Sequence, residues 1–343
     1  MPKNKPAVAR LTDPAQIVAS LPLWLGFVPT ESLVVLCCHE PRGRMGLTLR
    51  FDLPTPELEE ILVDDVVRRV RHEKATRVVL AVYTTQSVGE GRGETWRPRT
   101  SMIDDVRERF SDLVVTEAVL VMGDRFWSYL CEDSSCCPPE GTPVDAASDS
   151  EPITLLRAEQ VLEGQTLVAD RAALEASIAG PTWLAERAAH ERCHRAALAL
   201  ASDMRGPGLD RARAQSRQLW SEVAARFASP PAEVSDDEAA RLAVSLFDRG
   251  FRDELAATDE ADLPALLLLL EELCRRTPAE LDAPVCTLFG WLTYCRGGGA
   301  LVTIAIERAL RSDPDYALAH LLDQALQSQV SPRDLRAITL RAS

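Results

Sequence analysis

The sequence predicts a mixed α/β domain, a sheet with covering helices, followed by an all-α helical domain. Before residue 132, short apolar segments alternate with amphipathic segments in which the hydrophobic residues recur at helical spacing. From Ile153 onward the spacing of hydrophobic residues is almost entirely helical. Clusters of glycine and proline divide this second half into pieces of ordinary helix length. Together these observations favour a mixed sheet first and a set of packed helices second.

The length of 343 residues suits one large domain or two ordinary ones. We place the boundary near Gly180-Pro181, which gives an α/β domain with a cysteine-rich hairpin at 1–180 and a helical domain at 181–343. The formal charge is −14, from 38 basic and 52 acidic residues. Because nucleic acids and anionic membranes require a positive protein surface, we expect neither as a partner.

The expected compartment is the cytoplasm. Prolines interrupt the first residues, and no apolar run of a secretory signal follows them. The longest apolar run, 263–270, is too short to cross a bilayer. The nine cysteines are an odd number, and in this compartment we expect reduced thiols rather than a disulfide framework.

The elements of the first half can be predicted in order. Asp13 and Pro14 indicate the start of a short helix, as N-cap and first helical residue. The apolar run 32–38 has a β-branched centre, which is typical of a central strand buried on both faces. Residues 45–53 alternate in polarity and form a hairpin with it. The remaining predictions are a helix at 57–74, a strand at 77–83, a helix at 100–110, a strand at 114–122 and its antiparallel return at 126–131.

A loop at 132–152 precedes the helices of the second half, and a partial repeat stands near its end. We predict helices at 182–204, 209–228, 235–256, 263–276, 282–295, 299–311 and 315–328. Gly290, Ile306, Ala309 and Pro314 have the spacing of a tetratricopeptide unit, at about 283–327. The all-α domain is therefore expected to end in a tetratricopeptide-like hairpin. A peptide-binding groove and an ordinary helical hairpin are both compatible with one such unit, since stable arrays need about three.

Several stretches together resemble a known family. They are Leu25–Val35, Arg50–Pro54, Trp127–Gly141, and the region from Gly297 to Tyr316. The chain resembles the actinobacterial family catalogued as domain of unknown function 4192, from about residue 11 to 326. The resemblance implies no reaction, substrate or cofactor.

The densest group of unusual side chains is Cys131, Cys136 and Cys137. Thiolates are strong zinc ligands, and a turn rich in proline can hold them in place. The spacing differs from the Cys-x2-Cys of a zinc knuckle, and a fourth ligand is not evident. Cys37, Cys38 and His39 can supply one only if they lie nearby. The alternative is a structural hairpin with buried or redox-active thiols.

A second metal-ligand pattern is His190-Glu191-x-x-His194 on a predicted helix. The two imidazoles share one helix face, and Glu191 has the position of the general base in a zinc peptidase. Arg192 places a charge between the histidines, and no third ligand is evident downstream. The alternative is a solvated amphipathic helix.

Candidate ligand-binding residues fall into two sets. Trp96 and Arg97 lie in the loop 86–100, which leaves the third strand at its carboxyl end, where α/β sheets bind ligands. Arg50 and Asp52 share one face of the second strand. We expect these two to share a cleft with three aromatic residues, Tyr83, Trp127 and Tyr129. The alternatives are a surface loop for the first set and a structural salt bridge for the second.

The leading hypothesis is a non-enzymatic binding protein. Its α/β domain would bind a small molecule or a partner, and its C-terminal helices would bind protein. No cofactor is predicted, although the cysteines leave zinc open. The competing hypothesis is a zinc-dependent hydrolase that uses the histidine helix, with Glu191 as base, or the three cysteines.

Overall fold

The chain forms two compact units, Met1–Arg171 and Ala172–Ser343. The computed structural model describes residues 9–41, 43–86, 89–91, 94–162, 167–205, 208–229, 231–296 and 298–342. Within these ranges only the backbone is described at 89–91, 94–96, 162 and 338–342. No described helix is long and apolar enough to span a membrane.

Unit 1 is a six-stranded mixed sheet with helices. Its helices are α1 (Pro14–Leu25), α2 (Glu59–Glu73), α3 (Thr100–Arg109) and α4 (Glu151–Leu162). Its strands are β1 (Ser32–His39), β2 (Arg44–Asp52), β3 (Arg77–Tyr83), β4 (Gly89–Gly91), β5 (Glu94–Trp96), β6 (Val114–Met122), β7 (Arg125–Ser128) and β8 (Thr142–Pro143). The sheet order is β2-β1-β3-β6-β7-β8. Only the β3–β6 pair in this sheet is parallel, as the α3 crossover between them requires.

Each face of this sheet supports its own apolar layer. Leu33 and Val35 of β1 face the layer that contains α2 and α3. Val34 and Leu36 face the layer that contains α1. Since alternate residues of one strand enter opposite layers, the uniformly apolar sequence of β1 is explained by burial on both faces.

The strand predictions need three corrections in this unit. The loop 86–100 contains a two-stranded ribbon, β4 paired with β5. Strand β7 ends at Ser128 and not at Cys131, because the Ser128 hydroxyl accepts the backbone N–H groups of Leu130 and Cys131 and turns the chain. The loop 132–152 is interrupted by β8, whose two residues add an edge to the sheet.

Unit 2 is all-α, which confirms the predicted class of the second half. Its helices are α5 (Arg171–Ser177), α6 (Trp183–Asp203), α7 (Leu209–Phe227), α8 (Asp236–Ser245), α9 (Arg249–Ala256), α10 (Leu263–Arg276), α11 (Ala283–Cys295), α12 (Ala300–Ser312), α13 (Ala317–Gln327) and α14 (Pro332–Ala342). The last of these lies beyond the final predicted helix.

The prediction of one continuous helix at 235–256 is wrong. The chain breaks after Ser245 and restarts at Arg249. The Asp248 carboxylate accepts the backbone N–H groups of Gly250 and Phe251, so it caps a new helix. Arg213 holds that carboxylate from α7 over distances of 2.6 and 2.8 Å.

Helix α11 forms the core of unit 2. Its first ten residues, Ala283–Leu292, are all buried. An added Cβ on Gly290 would lie 3.5 Å from both Ala305 Cβ of α12 and Leu322 Cδ2 of α13. The small residue therefore permits close packing of three helices, as its position in the repeat pattern suggested. This face of α11 is covered by the unit itself.

Candidate functional site

The three clustered cysteines of unit 1 converge in space. They lie in the segment 129–141 between β7 and β8, here called the cysteine loop. The Sγ atoms of Cys131, Cys136 and Cys137 all lie within 4.8 Å of one another. Cys136 is exposed, and the other two are half-buried. Among the described residues, no other group of three or more His, Cys, Asp or Glu side chains converges in this way.

A tight turn centred on Asp133 produces this convergence. The Asp133 carbonyl accepts the backbone N–H groups of Cys136 and Cys137, at 3.0 and 2.7 Å. Its carboxylate accepts the Ser135 backbone N–H and hydroxyl, at 2.8 and 2.7 Å. The chain therefore doubles back, which brings Cys131 beside the adjacent pair in spite of a spacing unlike a zinc knuckle.

The base of the cysteine loop is attached to the sheet by further hydrogen bonds. Trp127 Nε1 donates to the Pro139 carbonyl over 2.9 Å. Arg125 donates to the Gly141 carbonyl over 2.8 Å. Both bonds tie the carboxyl end of the loop to β7, and its amino end continues directly from that strand, so the thiols lie on a segment anchored to the sheet.

The thiols differ in acidity. The pKa of Cys131 lies below its ordinary value, chiefly because the Asp133 backbone N–H binds its sulfur, with help from Cys137. Burial and the neighbouring thiols raise the pKa of Cys137 to about 12. Cys131 therefore ionises before Cys137, and ionisation of both places like charges side by side. A bound cation would relieve that repulsion.

The predicted fourth ligands do not join this group. Strand β1, which carries Cys37, Cys38 and His39, is separated from β7 by β3 and β6. Three inter-strand spacings amount to roughly 14 Å. His39 instead contacts Glu73 of α2, with 3.1 Å between Nε2 and Oε1.

The His-Glu-x-x-His helix, α6, does not assemble a metal site in the described residues. His190 and His194 are both exposed, and the buried residue between them is Cys193. His190 Nε2 lies 3.2 Å from Glu280, and Glu191 lies 3.4 Å from Arg187. Helix α6 packs through its Cys193 face, which leaves the histidines on the outer side.

The cleft predicted from the sequence does not form. It was expected to bring together Arg50, Asp52, Tyr83, Trp127 and Tyr129. Arg50 and Asp52 bind each other, and Arg50 also donates to Ser32 over 3.0 Å. Tyr83 lies on the same side of the sheet, in the layer of α1. Trp127 and Tyr129 belong to the opposite layer. The sheet itself separates the two sets.

Arg50 and Asp52 have separate local environments. The Arg50 guanidinium group donates to Asp52 and Ser32 and stacks 5.9 Å above the ring centre of Phe27. These contacts within the protein indicate a structural role for Arg50. Asp52 lines an open groove of about 540 Å³ along α2. The surface of that groove is mostly apolar, and Leu58 and Ile61, which are both exposed, contribute to it.

Arg97 and Tyr129 do come together, at the start of α3. The Tyr129 hydroxyl donates to the Pro98 carbonyl over 2.6 Å. Burial raises the pKa of Tyr129, while the positive charges of Arg97 and Arg99 act against that rise. We call Arg97 and Arg99 the arginine corner. The side chain of Trp96 lies outside the described residues.

Sequence reasoning missed the groups that surround this corner. Glu31 accepts the backbone N–H and hydroxyl of Thr85, at 2.6 and 2.7 Å, and the Thr84 hydroxyl at 3.0 Å. Glu59 pairs with Arg99. Glu31 has a φ of 41°, in the left-handed region. Nothing in the local sequence signals these contacts, because they join segments far apart in the chain.

Residues 14–333 match the family described as Domain of unknown function (DUF4192). The chain belongs to this family. No curated protein and no solved structure matches the chain. The range matched to the family contains the cysteine loop, the arginine corner and α6. Because the description of the family names no activity, the function of these sites is argued from their geometry.

Proposed function

We propose that this member of the family is a non-enzymatic binding protein whose cysteine loop holds one thiophilic metal ion, with Zn²⁺ as the first candidate. The observation that carries the proposal is the convergence of three Sγ atoms within 4.8 Å. Thiolates favour zinc and other soft cations over magnesium or calcium.

The spacing of the sulfurs suits such an ion. A tetrahedral zinc site with Zn–S bonds of about 2.3 Å separates its sulfurs by about 3.8 Å. The sulfurs of Cys136 and Cys137 already lie 4.0 Å apart. Closing the remaining pairs needs a shift of at most about 1 Å, which side-chain rotation of an exposed residue such as Cys136 can supply.

Three protein ligands would leave one coordination position open. In catalytic zinc sites that position holds the reactive water, so the hydrolase hypothesis has to be weighed. Among the described residues no histidine or carboxylate converges with the three thiols. The Asp133 carboxylate is engaged by Ser135. Binding is therefore the better supported proposal, and a general base is the element that the hydrolase hypothesis still lacks.

Binding of a protein by the C-terminal helices stays a prediction. The buried face of α11 does not support a groove there. The outer surface of α13 carries Leu321, an exposed large apolar residue, which is a weaker argument for a docking surface.

The test is the metal content of tag-free, full-length protein, measured by plasma mass spectrometry. We expect about one equivalent of zinc in the wild type and a loss of that zinc in Cys131→Ser and Cys136→Ser. Cys38→Ser and Cys295→Ser are matched controls, because both thiols are half-buried and lie outside the loop. These controls should retain the metal.

Two outcomes would contradict the proposal. One is a wild type that takes up no zinc after incubation with excess Zn²⁺ and removal of the unbound metal. The other is zinc retained when all three loop cysteines are replaced. If zinc is lost in His194→Ala but retained in the cysteine-loop variants, the hydrolase hypothesis becomes the better supported one.

A further inference from the structure

Arg97 is a half-buried cation that has no partner in the described part of the chain. Its guanidinium group makes no hydrogen bond or ion pair with any residue that the structure describes, and its Nε atom is buried. Two residues on, the Arg99 side chain is only 8% exposed. Arg99 pairs with Glu59 through Nη1, but its buried Nε atom also lacks an acceptor.

Such donors are costly when they are left without acceptors. Buried charged groups are normally paired, and buried polar groups are normally hydrogen-bonded. Two neighbouring guanidinium groups that both lack an acceptor at Nε also repel each other. An anion would relieve this repulsion. The terminal nitrogens of Arg97, unlike its Nε atom, are not buried, so they are the atoms that an anion from outside the chain can reach.

The nearby carboxylates that the structure describes, Glu31 and Glu59, do not fill this role. Glu59 is engaged by Arg99, and Glu31 is engaged by Thr84 and Thr85. The hydrogen bonds to Thr85 and Thr84 and the charge of Arg99 outweigh the burial of Glu31 and hold its pKa below the ordinary value. Neither carboxylate contacts Arg97.

The start of α3 adds a second attraction for an anion. This helix has ten residues, and no side chain caps its N-terminus within the described part of the chain. The Thr100 hydroxyl donates to the Arg97 carbonyl over 2.7 Å, so the backbone of Arg97 lies beside the first turn. Free N–H groups and the helix dipole favour negative charge there.

The position in the sheet agrees with a binding site. Helix α3 follows β3, and its N-terminus lies on the side of the carboxyl ends of β3 and β6. Thr84 and Thr85, which bind Glu31, come directly after β3. Open α/β sheets bind their ligands at this edge.

We infer that Arg97, with the N-terminus of α3, binds the oxyanion group of a small molecule, a phosphate or a carboxylate. The planar fork of a guanidinium group matches both, because two parallel N–H groups can meet two oxygens. Arg99 is fixed by Glu59 and acts as the rigid neighbour that sets the orientation of the bound group. This inference is independent of the metal proposed for the cysteine loop.

The test uses the full-length protein with inorganic phosphate and with citrate as probes, by titration calorimetry and thermal unfolding. We expect at least one probe to bind the wild type and to raise its unfolding temperature. In Arg97→Gln the dissociation constant should rise about tenfold or more, as expected for a lost charge-assisted hydrogen bond. Arg97→Lys should recover part of the affinity. The matched control is Arg107→Gln, an exposed arginine of the same helix.

The outcomes separate a ligand site from a structural arginine. Since Arg97 lacks a partner among the residues that the structure describes, Arg97→Gln should unfold at the wild-type temperature or higher when no probe is present. A lower unfolding temperature together with an unchanged response to both probes would overturn the inference. Absence of any binding to the wild type would overturn it as well. Binding of phosphate alone or citrate alone would support it and identify the oxyanion.

Discussion

Gly141 lies against the indole ring of Trp127, so closely that a Cβ atom on Gly141 would approach Trp127 Cε2 to 2.5 Å. The φ angle of Gly141 is 79°, in the region that side chains disfavour. The same ring donates its N–H to Pro139. One contact and one hydrogen bond therefore hold the end of the cysteine loop against β7.

Gly141→Ala should destabilise the protein by about 2–5 kcal/mol, the sum of left-handed backbone strain and overpacking. Denaturant unfolding followed by tryptophan fluorescence measures the change. Gly123→Ala is the matched control, because Gly123 has a φ of 60° but no atom within 4 Å of the added Cβ. It should cost only about 1–2 kcal/mol. Equal losses in both variants would show that contact with Trp127 has no effect.

A buried ion pair in unit 2 offers a second prediction. Arg308 Nε donates to Asp282 Oδ2 over 2.7 Å, and the Asp282 side chain is 1% exposed. Arg308 also donates to the carbonyls of Ile178 and Cys274. Arg308→Met leaves Asp282 buried without its cation and should cost about 3–5 kcal/mol of unfolding free energy.

The control for this pair is Arg333→Met, an exposed position on α14, which should stay within about 0.5 kcal/mol of the wild type. Combining Arg308→Met with Asp282→Asn should restore part of the loss, because no unpaired charge then remains buried. A double variant less stable than Arg308→Met would contradict this explanation.

The ion pair between Asp248 and Arg213 should make the unfolding free energy depend on pH. Hydrogen bonding to Arg213 is the main reason that the pKa of Asp248 lies below its ordinary value. The unfolded chain therefore binds the proton more readily. The stabilisation is complete above the unfolded pKa, about 3.9, and is lost as the pH falls through the lower folded pKa.

Asp248→Asn keeps a capping side chain but removes this charge. It should lower the unfolding free energy by about 1–2 kcal/mol at pH 7. The difference from the wild type should shrink as the pH falls below 4, in unfolding curves recorded at a series of pH values. Asp262→Asn, at an exposed position, is the control. A difference that stays constant down to the lowest measurable pH would refute the assignment.

Gly290 predicts a gain in stability. An added Cβ would meet Ala305 and Leu322 at 3.5 Å, which is ordinary van der Waals contact. Gly290→Ala should therefore stabilise α11 by about 0.5–1 kcal/mol through helix propensity. Gly290→Leu should destabilise the protein by about 1–3 kcal/mol, since the three helices leave no room for a side chain larger than alanine. Thermal unfolding of both variants checks the pair, and a loss with alanine would mean that the helices are closer than described.

The class and order of the elements could be predicted from local pattern alone. The strand 114–122 and the helix 263–276 were predicted with the bounds that the structure has. The error at 235–256 arose because the break depends on Asp248 binding Arg213 of α7, a contact that no local pattern contains. Strand β8 was not predicted, because its two residues become a strand only through their pairing with β7.

The candidate sites show the same division. By itself, the sequence determined that Cys131, Cys136 and Cys137 are close along the chain and that Arg97 follows a buried strand. Only the tertiary structure decided that the three sulfurs converge, since the turn at Asp133 reverses the chain between them. It also separated Tyr83 from Trp127, because the two belong to opposite layers of the sheet. Local spacing determines which residues share an element, whereas strand order and packing determine which elements meet.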